Sequence, residues 1–249
     1  MSDETKNGPW SAIKARLVAP IWHLPIAVLF ICGVAKASLA LKLIPGYTAW
    51  MAAEPKLGWM LSSLFTMIVD MAIVVSGLRL YRIDLRGFIG LRHLPFKGVL
   101  KEAGVTLAAF VVMAAVYVGL YELVNLLVPS PPNEAMRAAF TAPTPFLATL
   151  NIIGFVFVAF SEEVAYRGYI QKQLLALMKF APLAILLQGI LFGLSHGYQG
   201  PSFMFLNGVA GVMFGIVAYN RKSLIPCMVI HFLNDTGSFI GMMAQSGGS

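Results

Sequence analysis

The chain has 249 residues, of which 58% are hydrophobic and only 12% are charged. A soluble domain carries about 25% charged residues, so this composition excludes an ordinary soluble protein and indicates that the chain folds in a lipid bilayer. The net charge of +7 does not indicate a nucleic-acid partner, because the basic residues lie in short loops between long apolar runs.

Long apolar runs follow one another along the chain and predict a membrane domain. Backbone groups in lipid must bond to one another, so only helices and closed barrels span a membrane. The runs are continuous rather than alternating, which excludes a barrel, and a helical span needs about 20 apolar residues. We therefore predict an all-α, polytopic transmembrane helix bundle of about seven to eight spans. The predicted spans lie near residues 20–44, 58–80, 103–128, 146–168, 182–197, 202–220 and 224–244.

Two segments between the spans have a different character. Residues 85–97 mix basic and apolar side chains, which favours a segment at the membrane interface. Residues 129–145 form a proline-rich loop with room for one short helix beginning at Asn133. At the end of this loop, Thr144-Pro145 is a suitable N-cap and first-turn pair for the fourth span.

These boundaries divide the chain into two parts. Residues 1–143 contain the N-terminal spans and cytoplasmic loops, and residues 144–249 contain the part in which polar residues interrupt the apolar runs.

Basic residues collect on one side of the predicted spans, and this side is expected to be cytoplasmic. The N-terminus is therefore predicted to be cytoplasmic. A compact chain without an organelle-targeting segment favours a bacterial inner membrane. The basic residues of the cytoplasmic side are Lys6, Lys14, Arg16, Arg79, Arg82, Arg86, Arg92, Lys97, Lys101, Arg167, Lys172, Lys179, Arg221 and Lys222. Those of the opposite side are Lys42, Lys56 and Arg137, with Lys36 assigned to neither side.

Three clusters of polar residues interrupt the last apolar runs, where charged side chains are costly and need an explanation. The clusters contain Glu162, Glu163, Arg167, His196, His231, Asn234 and Asp235. Glu163 and Arg167 are spaced i and i+4, so we interpret them as an ion pair within one helix. This explanation does not cover the remaining titratable members of the clusters, which are candidates for a functional site.

Helix geometry places two of these candidates at the same depth. If the fourth helix continues to about Met178 and the chain turns at 179–182, Glu162 lies about 24–27 Å before the turn and His196 about 21–23 Å after it. An antiparallel pair of helices then brings the two side chains to one level.

The third cluster reaches a similar depth from the next turn, at 221–223. His231 lies about 12 Å and Asp235 about 18 Å beyond that turn. Helix tilt, or a fourth helix that protrudes into the cytosol, brings all the candidates together in a polar pocket that opens toward the cytoplasm.

Other features of these runs have structural interpretations. Glycines at four-residue spacing allow close helix packing. They are Gly189, Gly193 and Gly197 on the fifth span and Gly208, Gly211 and Gly215 on the sixth. Residues 193–197 match G-x-S-x-G, but this nucleophile elbow requires a strand–turn–helix context, so we interpret the match as coincidental and keep Ser195 as an alternative nucleophile. Further polar residues, which we expect to pair across helices, are His23, Asp70, Glu122 and Asn125.

Taken in order, the clusters resemble the type 2 CAAX prenyl proteases and their bacterial relatives, the CAAX protease and bacteriocin-processing (Abi) family. The family pattern is E-E-x-x-x-R, F-x-x-x-H and H-x-x-x-N. It corresponds here to Glu162-Glu163 with Arg167, to Phe192 with His196, and to His231 with position 235. The resemblance covers about residues 146–245.

The resemblance implies an intramembrane endopeptidase without a metal or another cofactor. Glu162 would be the general base that activates water, aided by His196, while His231 and the residue at position 235 would stabilise the oxyanion. Glu163 and Arg167 would not touch the substrate but would fix the helix and the electric field around these groups. The substrate would be a peptide or protein segment, membrane-associated or lipidated, at the cytoplasmic face.

Position 235 departs from this pattern, because Asp stands where the family has Asn. An ionised Asp cannot donate a hydrogen bond to an oxyanion. Asp235 must therefore be protonated to act as a donor, or instead it orients His231, which lies one helical turn away. Both roles remain open at this point.

Two other functions are compatible with the same residues. In a zinc-dependent peptidase, His196, His231 and a carboxylate would hold the metal, although the H-E-x-x-H motif is absent. A chelator titration separates this function from the metal-free one. In a non-enzymatic membrane immunity or scaffold protein the cluster would be structural, and a substitution of Glu162 would leave the function intact.

The predicted topology can be tested by labelling. We expect a single cysteine in the loop containing Arg82, Arg86 and Arg92 to be protected from an impermeant thiol reagent on intact cells, in a background without the native cysteines. A cysteine near Arg137 should be labelled. Labelling of the basic loop from outside would overturn the orientation.

Overall fold

The computed structural model describes residues 16–32, 40–91, 95–128, 141–142 and 144–246, and every regular element in these ranges is helical. The prediction of an all-α fold is therefore confirmed. The helices are α1 (His23–Ile31), α2 (Tyr47–Ala53), α3 (Pro55–Leu80), α4 (Leu85–Ile89), α5 (Phe96–Leu127), α6 (Pro145–Glu162), α7 (Gln171–Met178), α8 (Ala181–Ser195), α9 (Pro201–Arg221) and α10 (Ile225–Ser246). The π-helical segment Glu163–Ile170 joins α6 to α7 without a break, and the 3-10 turn Gly197–Gln199 lies between α8 and α9.

Four helical runs in the described part of the chain are long and apolar enough to cross a membrane. They correspond to the predicted second, third, fourth and sixth spans, and they are Pro55–Leu80, Phe96–Leu127, Pro145–Met178 and Pro201–Arg221. Helix α5 shows the character most clearly, because its apolar window has a mean hydropathy of 2.2 and only 11% of it is buried in the protein. A helix with apolar side chains facing outward along its length is suited to contact with lipid.

In the described residues, the other three predicted spans are not both long enough and apolar enough to count as membrane-spanning helices. Helix α8 is apolar but has only 15 residues, and α10 has 22 residues that include the third polar cluster. The first predicted span contains the nine-residue α1, and residues 33–39 lie outside the described ranges. Further predictions that lie outside these ranges concern Lys6, Lys14, Lys36, Arg92, Asn133 and Arg137.

The predicted start of the fourth span is confirmed in detail. Thr144 has extended backbone angles, and its hydroxyl oxygen accepts a hydrogen bond from the Leu147 amide at 3.3 Å. Pro145 occupies the first turn, where a missing amide hydrogen leaves no bond unmade.

The long helical run from α6 to α7 continues to the end that the sequence predicted. It ends at Met178, where Lys179 adopts a positive φ of 55°. Ten residues before that end, Gly168 allows the Phe88 ring and the Leu224 side chain to approach closely, since a Cβ there would lie 2.8 Å and 3.0 Å from them. The α9–α10 turn therefore lies beside Gly168, while Gln171, further along the run, still donates to the Gly215 carbonyl of α9 at 3.0 Å.

In the described part of the predicted interfacial segment, residues 85–91, helix α4 turns one aromatic side chain inward. Asp84 caps α4 by accepting a hydrogen bond from the Gly87 amide at 2.8 Å, and Phe88 is buried. The Ile89 carbonyl accepts a bond from the Leu224 amide at 2.8 Å, which ties α4 to the α9–α10 turn.

The N-terminal segment is held against the π segment by polar contacts. The His23 Nδ1 lies 2.6 Å from the Tyr169 hydroxyl, and its Nε2 lies 3.1 Å from Ser76 Oγ. His23 therefore pairs with these two residues, a pairing that the sequence did not indicate. The Gln173 Oε1 accepts a hydrogen bond from the Val18 amide at 2.9 Å, and its Nε2 donates one to the Ala19 carbonyl at 3.0 Å.

Helices α8 and α9 pack with almost no space between their backbones. A Cβ on Gly193 would lie 2.5 Å from the Met204 carbonyl oxygen, and one on Gly189 would lie 2.9 Å from the Val212 amide nitrogen. On the facing helix, a Cβ on Gly211 would lie 2.9 Å from the Gly189 Cα. The predicted small-residue seam is thus confirmed, except that Gly197 lies beyond the end of α8 and makes no tight contact.

The close contact of α8 with α9 along their glycines predicts that Gly193→Ala lowers the stability of the folded protein. The added methyl group meets backbone, which cannot move aside as a side chain does, so we expect a loss of about 1–3 kcal/mol. Thermal unfolding in detergent measures it. Gly154→Ala is the matched control, because nothing lies near its Cβ and alanine favours a helix. Equal unfolding midpoints for both variants would contradict this account of the seam.

Candidate active site

The first cluster lies where the helix changes from α to π geometry. Glu162 is the last residue of α6, and Glu163 is the first of the π segment, all eight residues of which are buried. A π-helix bonds residue i to i+5 and turns less per residue than an α-helix, so neighbouring side chains diverge less around the axis. The two adjacent carboxylates can then reach the same group on another helix.

That group is the imidazole of His231, on α10. Its Nδ1 lies 2.9 Å from Glu163 Oε1, and its Nε2 lies 3.8 Å from Glu162 Oε2. The Nε2 also lies 3.6 Å from Asp235 Oδ2. The structure therefore brings together three of the four predicted catalytic residues, with one ring nitrogen facing Glu163 and the other facing Glu162 and Asp235.

Glu163 is the buried anchor of this arrangement. Its Oε1 accepts one hydrogen bond from Arg167 Nη1 at 2.9 Å and faces His231 Nδ1 at the same distance. The predicted ion pair with Arg167 is confirmed, and both side chains are fully buried. Because an ionised carboxylate only accepts hydrogen bonds, Nδ1 carries the proton in this contact. Glu163 thus fixes the orientation of His231, a role that the sequence did not reveal.

Two phenylalanines enclose the buried charges. The Arg167 guanidinium lies 4.2 Å from the centroid of the Phe192 ring and 4.8 Å from that of Phe214. Phe214 also stacks on His231, with ring centroids 5.2 Å apart. Aromatic faces attract a cation, so these rings stabilise Arg167 where water cannot. Phe192 belongs to the second motif, whereas nothing in the sequence singles out Phe214 among the apolar residues of α9.

His196 joins the cluster through Phe192. The two rings lie 4.6 Å apart, and Phe192 also lies 6.2 Å from His231. The His196 Nδ1 is 2.8 Å from the Phe192 carbonyl oxygen, which can only accept, so Nδ1 carries the hydrogen. In the neutral ring, Nε2 is then the nitrogen that can take up a proton.

Ser195 does not have the surroundings of a nucleophile elbow. It is the last residue of α8, and its hydroxyl donates to the Phe192 carbonyl at 2.7 Å. No strand occurs in the described ranges, so the strand–turn–helix context of the G-x-S-x-G motif is missing there.

The accessible part of the cluster consists of two carboxylates. The side chains of Glu162 and Asp235 are 25% and 24% exposed, whereas those of Glu163 and His231 are 0% and 7% exposed. The Glu162 Oε2 atom has no hydrogen-bond partner in the described protein. A buried acceptor of this kind normally binds a water molecule or another ligand.

Metal binding receives no support from the positions of these side chains. Within the residues that the structure describes, no group of three or more His, Cys, Asp or Glu side chains has the geometry of a metal site. Metal dependence therefore remains a question for the chelator experiment.

Apolar spanning helices around a buried acid–imidazole cluster define an integral membrane protein with a site suited to hydrolysis. Residues 144–237 match the family model of the type II CAAX prenyl endopeptidase Rce1-like proteins, and all three clusters lie inside this segment. The match makes this segment similar to the CAAX protease family and supports membership of that family. No curated protein and no solved structure matches the chain.

The buried ion pair predicts unequal effects of two arginine substitutions. Arg167→Ala leaves Glu163 charged and buried, so we expect a loss of about 3–5 kcal/mol. Arg221→Ala is the matched control, because its pairing with Glu102 is 29–32% exposed, and such pairs contribute about 0–1 kcal/mol. Chemical denaturation in detergent gives both values. A normally stable Arg167→Ala protein would show that the pair is not structural.

Proposed function

We propose that this chain is an intramembrane endopeptidase in which Glu162 activates water, without a metal, to cleave a peptide segment of a membrane-associated or lipidated protein. Cleavage would take place at the cytoplasmic face. The observation that carries the proposal is the Glu162 Oε2 atom, which is unpartnered and 3.8 Å from the His231 Nε2.

Glu162 is suited to the role of general base. Its side chain is partly exposed, while Glu163 is committed to Arg167 and His231. A water molecule bound to the Glu162 carboxylate transfers a proton to it as the water oxygen bonds to the carbonyl carbon of the peptide. The carbonyl electron pair moves onto oxygen and forms an oxyanion. When this pair returns, the C–N bond breaks, and the proton on Glu162 passes to the leaving nitrogen.

His231 is suited to stabilise the oxyanion. Its Nδ1 proton is held by Glu163, so the ring is oriented with Nε2 toward the two exposed carboxylates. A proton on Nε2 gives an imidazolium whose charge is paired by the carboxylates around it. Such a preorganised donor acts where the oxyanion develops, which is the largest single contribution in many hydrolases.

The depth of the site supports a substrate at the cytoplasmic face. Glu162 lies six residues from Gly168, or about 9 Å along the helix, and Gly168 packs against the turn at Leu224. This turn follows Arg221 and Lys222, and positively charged loops favour the cytoplasmic side. A peptide segment held at the membrane surface therefore has only a short distance to reach Glu162.

The decisive variant is Glu162→Gln. It keeps the size of the side chain but removes the base, so we expect kcat to fall by about 10²–10⁴-fold. The unfolding midpoint should stay close to that of the unchanged protein, because Glu162 makes no buried hydrogen bond through Oε2. The substrate is a fluorogenic peptide ending in a Cys-aliphatic-aliphatic-X sequence, with and without a farnesyl group on the cysteine.

The control is Glu122→Gln, because Glu122 is exposed on α5 and belongs to none of the three clusters. Full activity of purified Glu162→Gln protein would refute the assignment of the base. Loss of activity on titration with a chelator, and its return with zinc, would instead establish the metal-dependent mechanism.

A further inference from the structure

The proposed mechanism leaves the oxyanion short of one donor. His231 can supply a hydrogen bond, but Asp235 occupies the position of the family's asparagine. The Asp235 Oδ2 atom lies 3.6 Å from His231 Nε2, on the side of the ring that would face the oxyanion. An ionised carboxylate in this position accepts hydrogen bonds and repels a second negative charge. Another group must donate if the oxyanion is held at two points.

The 3-10 turn after α8 brings a tyrosine to the same site. Tyr198 lies two residues after His196, and its ring stacks on the His196 ring with centroids 6.1 Å apart and planes inclined by 28°. The residue is 59% exposed, so it can meet a bound peptide. Tyr198 is therefore an exposed aromatic neighbour of one predicted catalytic histidine.

A chain of hydrogen bonds holds the Tyr198 hydroxyl. The Gln199 Nε2 donates to the Tyr198 oxygen at 3.0 Å, and the Asn207 Nδ2 donates to Gln199 Oε1 at 2.9 Å. The chain links the turn to α9, which restrains the turn. Because the phenol oxygen accepts in this contact, the contact does not use its own hydrogen. A hydroxyl that accepts one bond becomes a better donor of the next.

The pKa of the Tyr198 hydroxyl also depends on the carboxylates of the site. Although 59% of the residue is exposed, its hydroxyl is desolvated, and this desolvation, followed by the negative charges of Glu162 and Asp235, raises the pKa of Tyr198 to about 12. The two carboxylates belong to different helices, so Tyr198 lies near the place where α6 and α10 meet. At neutral pH the phenol keeps its proton and remains a donor.

We propose that the Tyr198 hydroxyl donates a hydrogen bond to the oxyanion of the tetrahedral intermediate, in place of the donor that position 235 lacks in this chain. This inference rests on the proposed function of Glu162 and His231. Tyr198 exchanges no proton in the reaction: its O–H bond stays intact while the oxyanion forms and collapses, and Glu162 alone carries the proton from water to the leaving nitrogen.

The first test is Tyr198→Phe, which removes the hydroxyl and keeps the ring stacked on His196. Loss of one oxyanion donor lowers kcat by about 10²–10³-fold in other hydrolases, and we expect this loss with little change in KM. Tyr121→Phe is the matched control, since that ring packs on Phe203 and should lose no activity. The unfolding midpoint of each variant shows whether the fold is intact.

The second test distinguishes a donor from a structural residue. Asp235→Asn introduces a side-chain donor at position 235, so we expect it to recover at least 10-fold of the activity lost in Tyr198→Phe. The effect of Tyr198→Phe should accordingly be smaller in the Asp235→Asn background than in the unchanged protein. Equal effects in both backgrounds would overturn the proposal, because an amide at position 235 cannot replace a tyrosine that only supports the turn.

The failure of this inference can be told apart from the failure of the proposed function. If Glu162→Gln is inactive while Tyr198→Phe is fully active, Tyr198 is not a donor and the base assignment remains. If Glu162→Gln is fully active, the proposed mechanism fails, and the oxyanion argument fails with it.

Discussion

The position of the candidate active site depends on one carboxylate oxygen. Glu163 Oε1 faces Arg167 on its own helix and His231 on α10, so a single atom joins the π segment to the last helix. An unpaired ionised carboxylate at this depth would cost several kcal/mol, and the guanidinium offsets that cost. Arg167 in turn is stabilised by the faces of Phe192 and Phe214, which also contact the imidazole. The charges and the rings therefore form one unit that cannot be changed in one member without consequences for the others.

This unit explains why two adjacent glutamates have different roles. Glu163 is enclosed and fixed by two partners, whereas Glu162 remains at the edge with an oxygen that no protein group satisfies. A base must be able to exchange protons with water, and a group that orients a histidine must not. The α-to-π transition between the two residues allows both to face His231, one on each side of the ring. The two adjacent glutamates thus have different roles: Glu163 orients His231, and Glu162 is the proposed base.

Much of this arrangement could be predicted from the sequence, because it follows from regular geometry. The rise of 1.5 Å per residue placed Glu162 and His196 at one depth, whereas His231 reached that depth only with a tilted or protruding fourth helix. In the structure the Glu162 Oε2 lies 3.8 Å from the His231 Nε2. The i, i+4 spacing predicted the Arg167 pair, and the glycine spacing predicted the α8–α9 seam. Local periodicity could not reveal the π segment or the choice of Phe214 among many apolar residues. Nor could it show that His23 would bond to Tyr169, since that contact joins residues 146 positions apart.

The short length of α8 has a consequence for the depth at which it ends. Its 15 residues rise about 22 Å, whereas the hydrocarbon core of a bilayer is about 30 Å thick. A helix that begins near Lys179, on the predicted cytoplasmic side, therefore ends inside the hydrocarbon rather than at the opposite surface. Backbone groups at that depth cannot bond to water, so those that follow Ser195 must bond within the protein. The 3-10 turn Gly197–Gln199 provides such a bond, since the Gln199 amide donates to the His196 carbonyl at 2.9 Å.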